Sequence, residues 1–253
     1  MSTYPTTAML LAAGLGTRMR PLTEATPKPM LPLGGRPLID HALDQLAEAG
    51  VDKVVVNAHW QADRLESHLA TRTHPHIILR REAALLDTGG GVRAALAELG
   101  PAPFYVVNGD AFWLNGTTPA LTRLAHAFDP DQVDAVLLVY RTAQVHAEVG
   151  AGDFMLDPWG KLRRRREHEI VPYVYAGVQL ISPALFGPSL DETAPDSPAP
   201  DAAFSMNRLW DRAIEADRAR AVVHDGLWFH LSTPADLSDA ESVLHMRQAG
   251  DSR

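Results

Sequence analysis

The sequence predicts an α/β fold built on a largely parallel central sheet. Apolar runs of strand length alternate with stretches of helical period, which is the pattern of strands joined by helices. Nearly all of these runs are continuously apolar, as expected when helices cover both faces of a sheet. The chain has 253 residues, and neither an internal repeat nor a clear linker divides it. We therefore predict a single domain over residues 1–253.

The first half of the chain contains the clearest elements. Strands are predicted at residues 8–13, 53–57, 77–80, 104–108 and 135–140. A helix is predicted from Leu38 to Ala47, because apolar residues recur at helical spacing until Gly50, a residue type that ends helices. Further helices fit residues 62–70 and 91–99.

The second half of the chain is less regular. After about residue 141, strands at 161–165 and 174–181 predict a small antiparallel extension of the sheet, and helices are predicted near 203–216 and 235–247. Residues 187–201 contain four prolines among small and acidic residues. This composition predicts a loop, which acts either as a mobile flap or as a spacer.

Composition excludes several classes of protein. With 23 Lys and Arg against 31 Asp and Glu, the formal net charge is −8, so the chain lacks the excess of cations that nucleic-acid binding requires. There is no cysteine, which excludes disulfides, thiolate nucleophiles and cysteine zinc sites. The first apolar stretch ends at Gly14, too early for a signal peptide or a membrane span. We expect a cytoplasmic protein, monomeric or a small homo-oligomer, that binds neither nucleic acid nor membrane.

The turn after the first strand, at residues 11–22, carries the first chemical signal. Its small residues let the backbone approach a ligand, its N–H groups can bind an anion, and Arg18 adds a guanidinium that matches phosphate oxygens. The Walker A ending is missing, and the dinucleotide-binding pattern would need glycine in place of Met19. A tight strand-to-helix turn without a ligand is the alternative interpretation.

Two further charged residues stand at informative positions. Lys28 lies between Pro27 and Pro29, which restrict the backbone, so the ammonium can be aimed at one point. Asp110 follows an apolar strand, and a carboxylate at the carboxyl end of a parallel strand points into the crevice where such folds bind ligands. The alternatives are a surface lysine in a proline-rich loop and an aspartate that caps a turn.

These features together strongly resemble the signature of the sugar-1-phosphate nucleotidyltransferases. The resemblance is carried by residues 11–22 with Pro27-Lys28-Pro29, by Asp87-Thr88-Gly89-Gly90-Gly91, which resembles the segment near the nucleotide base, and by Asn108-Gly109-Asp110, which resembles the strand-end metal motif. The motifs occur in the family's order. Length, the Asp-Thr-Gly-Gly-Gly form and the short second half are most similar to the bacterial N-acetylmuramate-1-phosphate uridylyltransferases and the short mannose-1-phosphate guanylyltransferases.

The resemblance implies a Rossmann-like three-layer nucleotidyltransferase fold with a mostly parallel central sheet and a small antiparallel extension. Its nucleotide-binding half would span about residues 1–140 and its sugar-phosphate-binding half about 141–253. The implied reaction is attack of a sugar 1-phosphate oxygen on the α-phosphorus of a nucleoside triphosphate, with pyrophosphate leaving. The first-choice substrates are UTP and N-acetylmuramate 1-phosphate, which belongs to peptidoglycan recycling.

The resemblance also implies roles for individual residues. Arg18 and Lys28 hold the triphosphate and stabilise charge at the α-phosphorus, and Asp110 binds Mg²⁺. These three residues form the implied catalytic set. The nucleotide-binding residues implied in the same way are Ala13, Gly14, Leu15, Gly16, Thr17, Glu82, Thr88 and Gly89.

The sequence departs from the family pattern near the C-terminus, where the family usually has Trp-x-Asp-x-Gly-Thr with the Asp as a second metal ligand. Here the segment reads Trp228-Phe229-His230-Leu231-Ser232-Thr233. Imidazole suits Mn²⁺ better than Mg²⁺, so Mn²⁺ becomes an alternative cofactor. His230 either binds the metal, contacts phosphate as a donor, or takes no part.

The residues that bind the acceptor sugar phosphate are harder to identify from the sequence. Lys161 and the run Arg163 to Arg166 lie about where larger relatives carry a Glu-Lys-Pro segment. Alternation along a strand would turn Lys161, Arg163 and Arg165 to one face, where one or more could meet the sugar phosphate. A solvated sheet edge that discourages strand pairing explains them equally well. Gly177 and Asn207 are further candidates for contact with the sugar phosphate. A lactyl carboxylate on the sugar would need a further cation, for which Arg208 or one of the run Arg163 to Arg166 is a candidate.

Three other functions compete with the leading one. Guanylyl transfer to mannose 1-phosphate is the runner-up. A non-catalytic nucleotide-sugar sensor would explain His230, although it would have little need of Arg18, Lys28 and Asp110 together. A dinucleotide-dependent oxidoreductase lacks both the third glycine and an acidic residue at the end of the second strand, which reads Asn57-Ala58-His59.

Overall fold

A computed structural model describes residues 4–145, 147, 149–187 and 202–251. In chain order its strands and helices are β1 (Thr7–Leu11), β2 (Pro32–Leu33), β3 (Arg36–Pro37), α1 (Leu38–Glu48), β4 (Lys53–Ala58), α2 (Ala62–Leu69), β5 (His76–Arg81), α3 (Asp87–Ala94), α4 (Leu96–Leu99), β6 (Phe104–Asn108), β7 (Phe112–Leu114), α5 (Ala120–Ala127), β8 (Ala135–Arg141), β9 (Phe154–Leu156), β10 (Leu162–Arg164), β11 (Tyr173–Ile181), α6 (Met206–Glu215), β12 (Ala219–Val223), β13 (Leu227–Phe229) and α7 (Pro234–Asp251). The predicted loop at 187–201 lies, except for Gly187, outside the described residues.

A nine-stranded sheet organises the fold, with β1 at its centre. β1 pairs in parallel with β4 on one side and with β6 on the other, and β5 continues the sheet in parallel beyond β4. β11 runs antiparallel to both β6 and β8, and β12 pairs in parallel with β8. The antiparallel pair β9 and β10 extends the sheet next to β11. The predicted α/β fold with a mostly parallel sheet and a small antiparallel extension is confirmed.

Side chains alternate between two cores, one on each face of the sheet. In β1, Ala8 and Leu10 belong to the core that α1, α2 and α5 cover, whereas Met9 belongs to the core beneath α3, α4 and α6. All three side chains are fully buried. Helices on both faces make the three layers and explain why the strands are continuously apolar.

Several boundaries differ from the prediction for local reasons. β1 ends at Leu11 rather than at residue 13, because the Ala12 N–H donates to Oδ1 of Asn57 at 2.7 Å instead of to a strand. The helix predicted at 91–99 begins at Asp87 and is broken at Ala95 into α3 and α4. α1 does end before Gly50, which has a φ of 83°.

The order of the strands creates a crevice beside β1. The chain builds β4 and β5 on one side of β1 and then crosses to form β6 on the other side. Ligands of open α/β sheets bind at the carboxyl ends of the strands where the order reverses in this way. A smaller core, which includes Met19, Phe112, Phe229 and Leu237, packs β7, β13 and α7 beside that crevice.

Among the helices in the described part of the chain, none combines the length and the apolar composition that crossing a membrane requires.

The buried His224 should make the free energy of unfolding depend on pH. It is 1% exposed, and its Nε2 lies 3.1 Å from the Leu114 carbonyl oxygen and 3.2 Å from that of Leu227, so Nε2 carries the proton. Nδ1 is buried with no hydrogen-bond partner in the described part of the chain. Burial lowers the pKa of His224; the bonds to the Leu227 and Leu114 carbonyls and the charge of Asp225 oppose this effect, and the charge of Arg123 adds to it.

The folded state therefore excludes a proton that the unfolded chain takes up below the ordinary histidine pKa of about 6.5. We expect the free energy of unfolding to fall as the pH drops below about 6.5. His224→Gln keeps an N–H donor but does not titrate, so it should make this dependence less steep, while His230, whose pKa burial also lowers, keeps its own contribution. Urea unfolding at several pH values measures both proteins, and equal slopes for the two would contradict the assignment.

Candidate active site

Two adjoining cavities open at the carboxyl ends of β1, β4 and β6. The one that we name the large cleft has a volume of about 480 Å³, and the one that we name the small cavity has about 160 Å³. The described residues that line both are Arg18, Lys28, Asn108, Asp110 and Ser232. The three residues predicted to be catalytic thus lie where the two cavities meet.

The turn after β1 forms one wall of the large cleft through Ala13, Gly14, Gly16 and Thr17. Gly16 has a φ of 60°, and a Cβ there would lie 3.0 Å from Cβ of Lys28 and from Cγ2 of Thr23. The Thr23 hydroxyl donates to the Gly16 carbonyl at 2.8 Å. A glycine is needed here both for the backbone angle and for the close approach of the lysine segment.

Leu15 lies in the same turn but outside the lining of the large cleft. Its side chain is 39% exposed. Contact between Leu15 and the nucleotide stays a prediction.

Lys28 and Asp110 form an ion pair at the meeting point of the cavities. Lys28 is only 9% exposed, and lysine is almost never buried to this degree unless it is paired. The Asp110 side chain is 37% exposed. Its loop is held against β1 because the Gly109 N–H donates to the Leu11 carbonyl at 2.8 Å. A buried cation and an accessible carboxylate therefore stand side by side, facing both cavities.

The opposite end of the large cleft is lined by Glu82, Leu85, Asp87 and Thr88. Nδ2 of Asn57 donates to Oε1 of Glu82 at 2.7 Å. The Thr88 hydroxyl oxygen accepts from the Met206 N–H at 2.9 Å and so joins α3 to the start of α6. Glu82 and Thr88 therefore lie together in the cleft, and their contact with the nucleotide base stays a prediction.

Gly89, which was predicted to bind the nucleotide, packs against Phe204 and is not among the described residues that line the large cleft. Its N–H donates to the Phe204 carbonyl at 2.8 Å. A Cβ at this position would lie 2.6 Å from Cδ2 of Phe204 and 2.9 Å from its carbonyl oxygen. The glycine is required for packing between α3 and the segment before α6.

This packing makes Gly89→Ala a destabilising change. We expect it to lower the free energy of unfolding by about 1–3 kcal/mol, the usual effect of overpacking. Gly14→Ala is the matched control, because a Cβ at Gly14 meets nothing within 4 Å. Urea denaturation compares the two variants, and equal stability of Gly89→Ala and the wild type would contradict the packing role.

His230 reaches the small cavity from β13. Phe229 pairs with Phe112 of β7, so the next residue comes beside Ala111 and Asp110. His230 and Asp110 both line the small cavity. Burial lowers the pKa of His230, with the charges of Arg18 and Lys28 adding to this effect and those of Asp236 and Asp110 opposing it. The imidazole is therefore neutral at neutral pH, as a metal ligand must be.

This donor set fits a divalent cation that also binds phosphate. Asp110 offers carboxylate oxygens and His230 a neutral nitrogen on one cavity. Within the described ranges, no three or more His, Cys, Asp or Glu side chains gather into a complete metal cage. A cation that takes one or two protein ligands and completes its shell with phosphate oxygens and water needs no such cage.

Lys161 and Arg163, which were predicted to contact the sugar phosphate, form ion pairs with other residues of the protein. Lys161 pairs with Asp217 at 2.8 Å. Arg163 donates to both carboxylate oxygens of Glu169, at 2.8 and 2.7 Å, and this lowers the pKa of Glu169 to about 2. Neither Lys161 nor Arg163 is among the described residues that line the two cavities. Their local ion pairs explain the position of the basic run better than a substrate does.

Of the other two residues predicted to contact the sugar phosphate, Gly177 lines the small cavity and Asn207 does not. Gly177 lies in the small cavity with Tyr175, where β11 bulges. Asn207 lies on α6, and its Oδ1 accepts from the Arg164 guanidinium at 2.9 Å. Asn207 is also absent from the described linings of both cavities.

Two asparagines received no role of their own from the sequence, although Asn108 stands in the predicted strand-end motif. Asn57 and Asn108 both line the large cleft; Asn57 is the second-to-last residue of β4 and Asn108 the last residue of β6, the two strands that pair in parallel with β1. Their place at strand ends was visible in the sequence. The strand order that brings them to the same crevice as Arg18 was not.

Comparison with known proteins agrees with this geometry. Residues 8–192 match the MobA-like NTP transferase domain family. An N-acetylmuramate alpha-1-phosphate uridylyltransferase of Caulobacter vibrioides is 39% identical over 96% of this chain and 99% of its own length. A mannose-1-phosphate guanylyltransferase catalytic subunit beta of Drosophila pseudoobscura pseudoobscura is 36% identical over 42% of this chain and 30% of its own length.

Solved structures show the same fold. A UDP-glucose pyrophosphorylase in its apo form superposes with a TM-score of 0.77 over 96% of this chain and 99% of that one, at 18% identity. The match over residues 8–192 and the identity with the Caulobacter vibrioides protein along nearly the whole chain show the family. The family generally depends on a divalent metal. The chain belongs to the sugar-1-phosphate nucleotidyltransferases of the MobA-like NTP transferase family.

Proposed function

We propose that this protein transfers a uridylyl group from UTP to N-acetylmuramate 1-phosphate and releases pyrophosphate. The observation that carries the proposal is the convergence of Arg18, Lys28 and Asp110 where the large cleft meets the small cavity. The Caulobacter vibrioides relative, matched from end to end, supports the choice of base and sugar. The product, UDP-N-acetylmuramate, fits a role in peptidoglycan recycling.

In the proposed reaction, an oxygen of the sugar phosphate attacks the α-phosphorus of UTP. The bond between that phosphorus and the bridging oxygen of pyrophosphate breaks, and the uridylyl group remains on the sugar phosphate. No protein nucleophile is required, so the protein positions the substrates and neutralises charge. Arg18 and Lys28 hold the triphosphate and stabilise the charge that develops on the transferring group.

The two halves of the chain divide the substrates. Residues of the first half, about 1–140, bind UTP: the turn at Ala13, Gly14, Gly16 and Thr17 takes the phosphates, and Glu82 with Thr88 takes the base. The second half, about 141–253, contributes His230 and Gly177 to the small cavity, which holds the acceptor sugar phosphate. Lys161, Arg163 and Asn207 are not part of this assignment, because their bonds within the protein lead away from both cavities.

Asp110 and His230 are the residues that would hold the divalent cation. A cation bound there neutralises charge on the triphosphate and orients it. The carboxylate and the phosphate oxygens favour Mg²⁺, and the imidazole makes Mn²⁺ an effective substitute. Because the reaction consumes a nucleoside triphosphate, we propose that the protein works in the cytoplasm, where these nucleotides are supplied.

Pyrophosphate release tests the proposal. UTP, GTP, CTP and dTTP are each paired with the 1-phosphates of N-acetylmuramate, mannose and glucose, and Mg²⁺ is compared with Mn²⁺. We expect the highest kcat/KM for UTP with N-acetylmuramate 1-phosphate. Turnover of GTP with mannose 1-phosphate would favour the second candidate, which the shorter match to the guanylyltransferase supports. Folded protein that binds UTP but releases no pyrophosphate with any pair would be a sensor, and the proposal would fail.

A further inference from the structure

A hydrogen-bonded unit of three groups joins the phosphate turn to the base end of the large cleft. Asn57 is at its centre and is 3% exposed. The Ala12 N–H donates to Oδ1 of Asn57 at 2.7 Å, and Nδ2 of Asn57 donates to Oε1 of Glu82 at 2.7 Å. The orientation of the amide is determined by its partners, because a backbone N–H only donates and a carboxylate only accepts.

The second carboxylate oxygen of Glu82 keeps its capacity to accept. Oε2 receives a long bond, 3.3 Å, from the Leu86 N–H. Glu82 lines the large cleft next to Leu85 and Asp87. Oε2 of Glu82 can therefore accept a hydrogen bond from a ligand at this end of the cleft. The buried amide of Asn57 holds the carboxylate in place through Oε1.

Gly91 of α3 lies against the hydrogen bond between Asn57 and Glu82. A Cβ on Gly91 would lie 2.8 Å from Nδ2 of Asn57 and 3.1 Å from Oε1 of Glu82. A side chain at Gly91 would force these two groups apart. The three elements β1, β4 and α3 thus pack tightly around one hydrogen bond.

We infer that Asn57 is the positioning residue that makes Glu82 an acceptor-only reader of the base. This inference rests on the proposed function, because it assigns the base of the nucleotide to that end of the cleft. Uracil and guanine carry a ring N–H that a carboxylate accepts. Cytosine presents a ring nitrogen lone pair at the matching position, and two acceptors face to face leave both unsatisfied. Asn57 holds the carboxylate so that discrimination occurs before any sugar binds.

Equilibrium binding of UTP and of CTP, with Mg²⁺ and without acceptor sugar, measures this discrimination. The two nucleotides share the same triphosphate, so their ratio reports the base end of the cleft alone. We expect the wild type to bind UTP about 10- to 100-fold more tightly than CTP, the size of one satisfied hydrogen bond to a charged group. Asn57→Asp sets a second acceptor against Oε1 of Glu82, and the ratio should collapse toward one.

Glu82→Gln tests the direction of the bond. Its carbonyl oxygen must face Nδ2 of Asn57, which turns the new amide N–H toward the base, so the preference should shift toward CTP. The double variant Asn57→Asp/Glu82→Gln restores the pair with donor and acceptor exchanged, because the new amide donates to the new carboxylate and its oxygen faces the base. We expect the double variant to regain the preference for UTP that each single variant loses.

Gln179→Leu is the matched control. Gln179 is 1% exposed, and its amide oxygen accepts from Nε1 of Trp210 at 2.8 Å, so the substitution breaks a buried bond of the same kind in β11. It should lower stability and leave the ratio of UTP to CTP affinity unchanged. Single variants that keep the wild-type ratio, or a double variant that fails to recover it, overturn the inference. If the ratios behave as expected but no nucleotide sugar forms, the proposed reaction fails and the role of Asn57 stands.

Discussion

Replacing Asp110 by asparagine is expected to lower kcat by about a thousandfold, the largest effect of any single change in the site. The substitution keeps the shape of the side chain but removes the charge that pairs with Lys28 and that would bind the cation. UTP binding in the absence of metal should persist, because a negative charge near the triphosphate has been removed. The half-saturating concentrations of Mg²⁺ and Mn²⁺ should both rise.

Steady-state kinetics at several metal concentrations, together with direct binding of UTP, separate these effects. Asp131→Asn makes the same chemical change at an exposed position on the loop before β8 and should leave kcat unchanged. A thermal melt of Asp110→Asn shows whether the now unpaired Lys28 weakens the fold. Wild-type turnover by Asp110→Asn would remove this residue from the catalytic set.

Lys28→Met is expected to lower kcat by about 100- to 1000-fold, while KM for UTP changes much less. The ammonium is buried between two prolines, next to the phosphate turn and Asp110. Its interaction with the transferring group strengthens as charge develops there, so its loss raises the barrier more than it weakens binding of the substrate.

Lys53→Met provides the comparison for this variant. Lys53 is also partly buried, but it is the first residue of β4, at the amino-terminal ends of the parallel strands and away from the crevice, and its ammonium donates to the Glu98 carbonyl. It should retain wild-type kcat and KM. A Lys28→Met enzyme whose KM for UTP rises as steeply as its kcat falls would show that Lys28 serves ground-state binding, contrary to the proposed role.

A strand or helix can be predicted from the sequence when its own residues show a recognisable pattern of apolar and polar side chains. β1, β4 and β6 are buried on both faces, so their apolar runs identify them. β12 escapes prediction because its five residues include Arg220, whose guanidinium bonds to Asp217, and because the strand exists through its pairing with β8, far away in sequence. α5 also escaped prediction, although α2 has the same length of eight residues and was predicted.

The same distinction holds for the residues of the candidate site. Arg18, Lys28 and Asp110 lie in motifs whose spacing carries information, and the fold brings them to one point. The basic run around Arg163 could not be assigned from the sequence, because its partners are determined by tertiary contacts such as the pair with Glu169. The role of Asn57 was hidden for the same reason. Its two partners lie 45 and 25 residues away.

The central claim is that the site where Arg18, Lys28 and Asp110 converge catalyses one direct displacement at the α-phosphorus. The most direct test uses UTP with a chiral α-phosphorothioate and determines the configuration of the nucleotide sugar formed with N-acetylmuramate 1-phosphate. A single displacement inverts the configuration, and inversion is the result that we predict. Retention would mean two displacements through a nucleotidylated side chain, and it would contradict a mechanism in which the protein supplies no nucleophile.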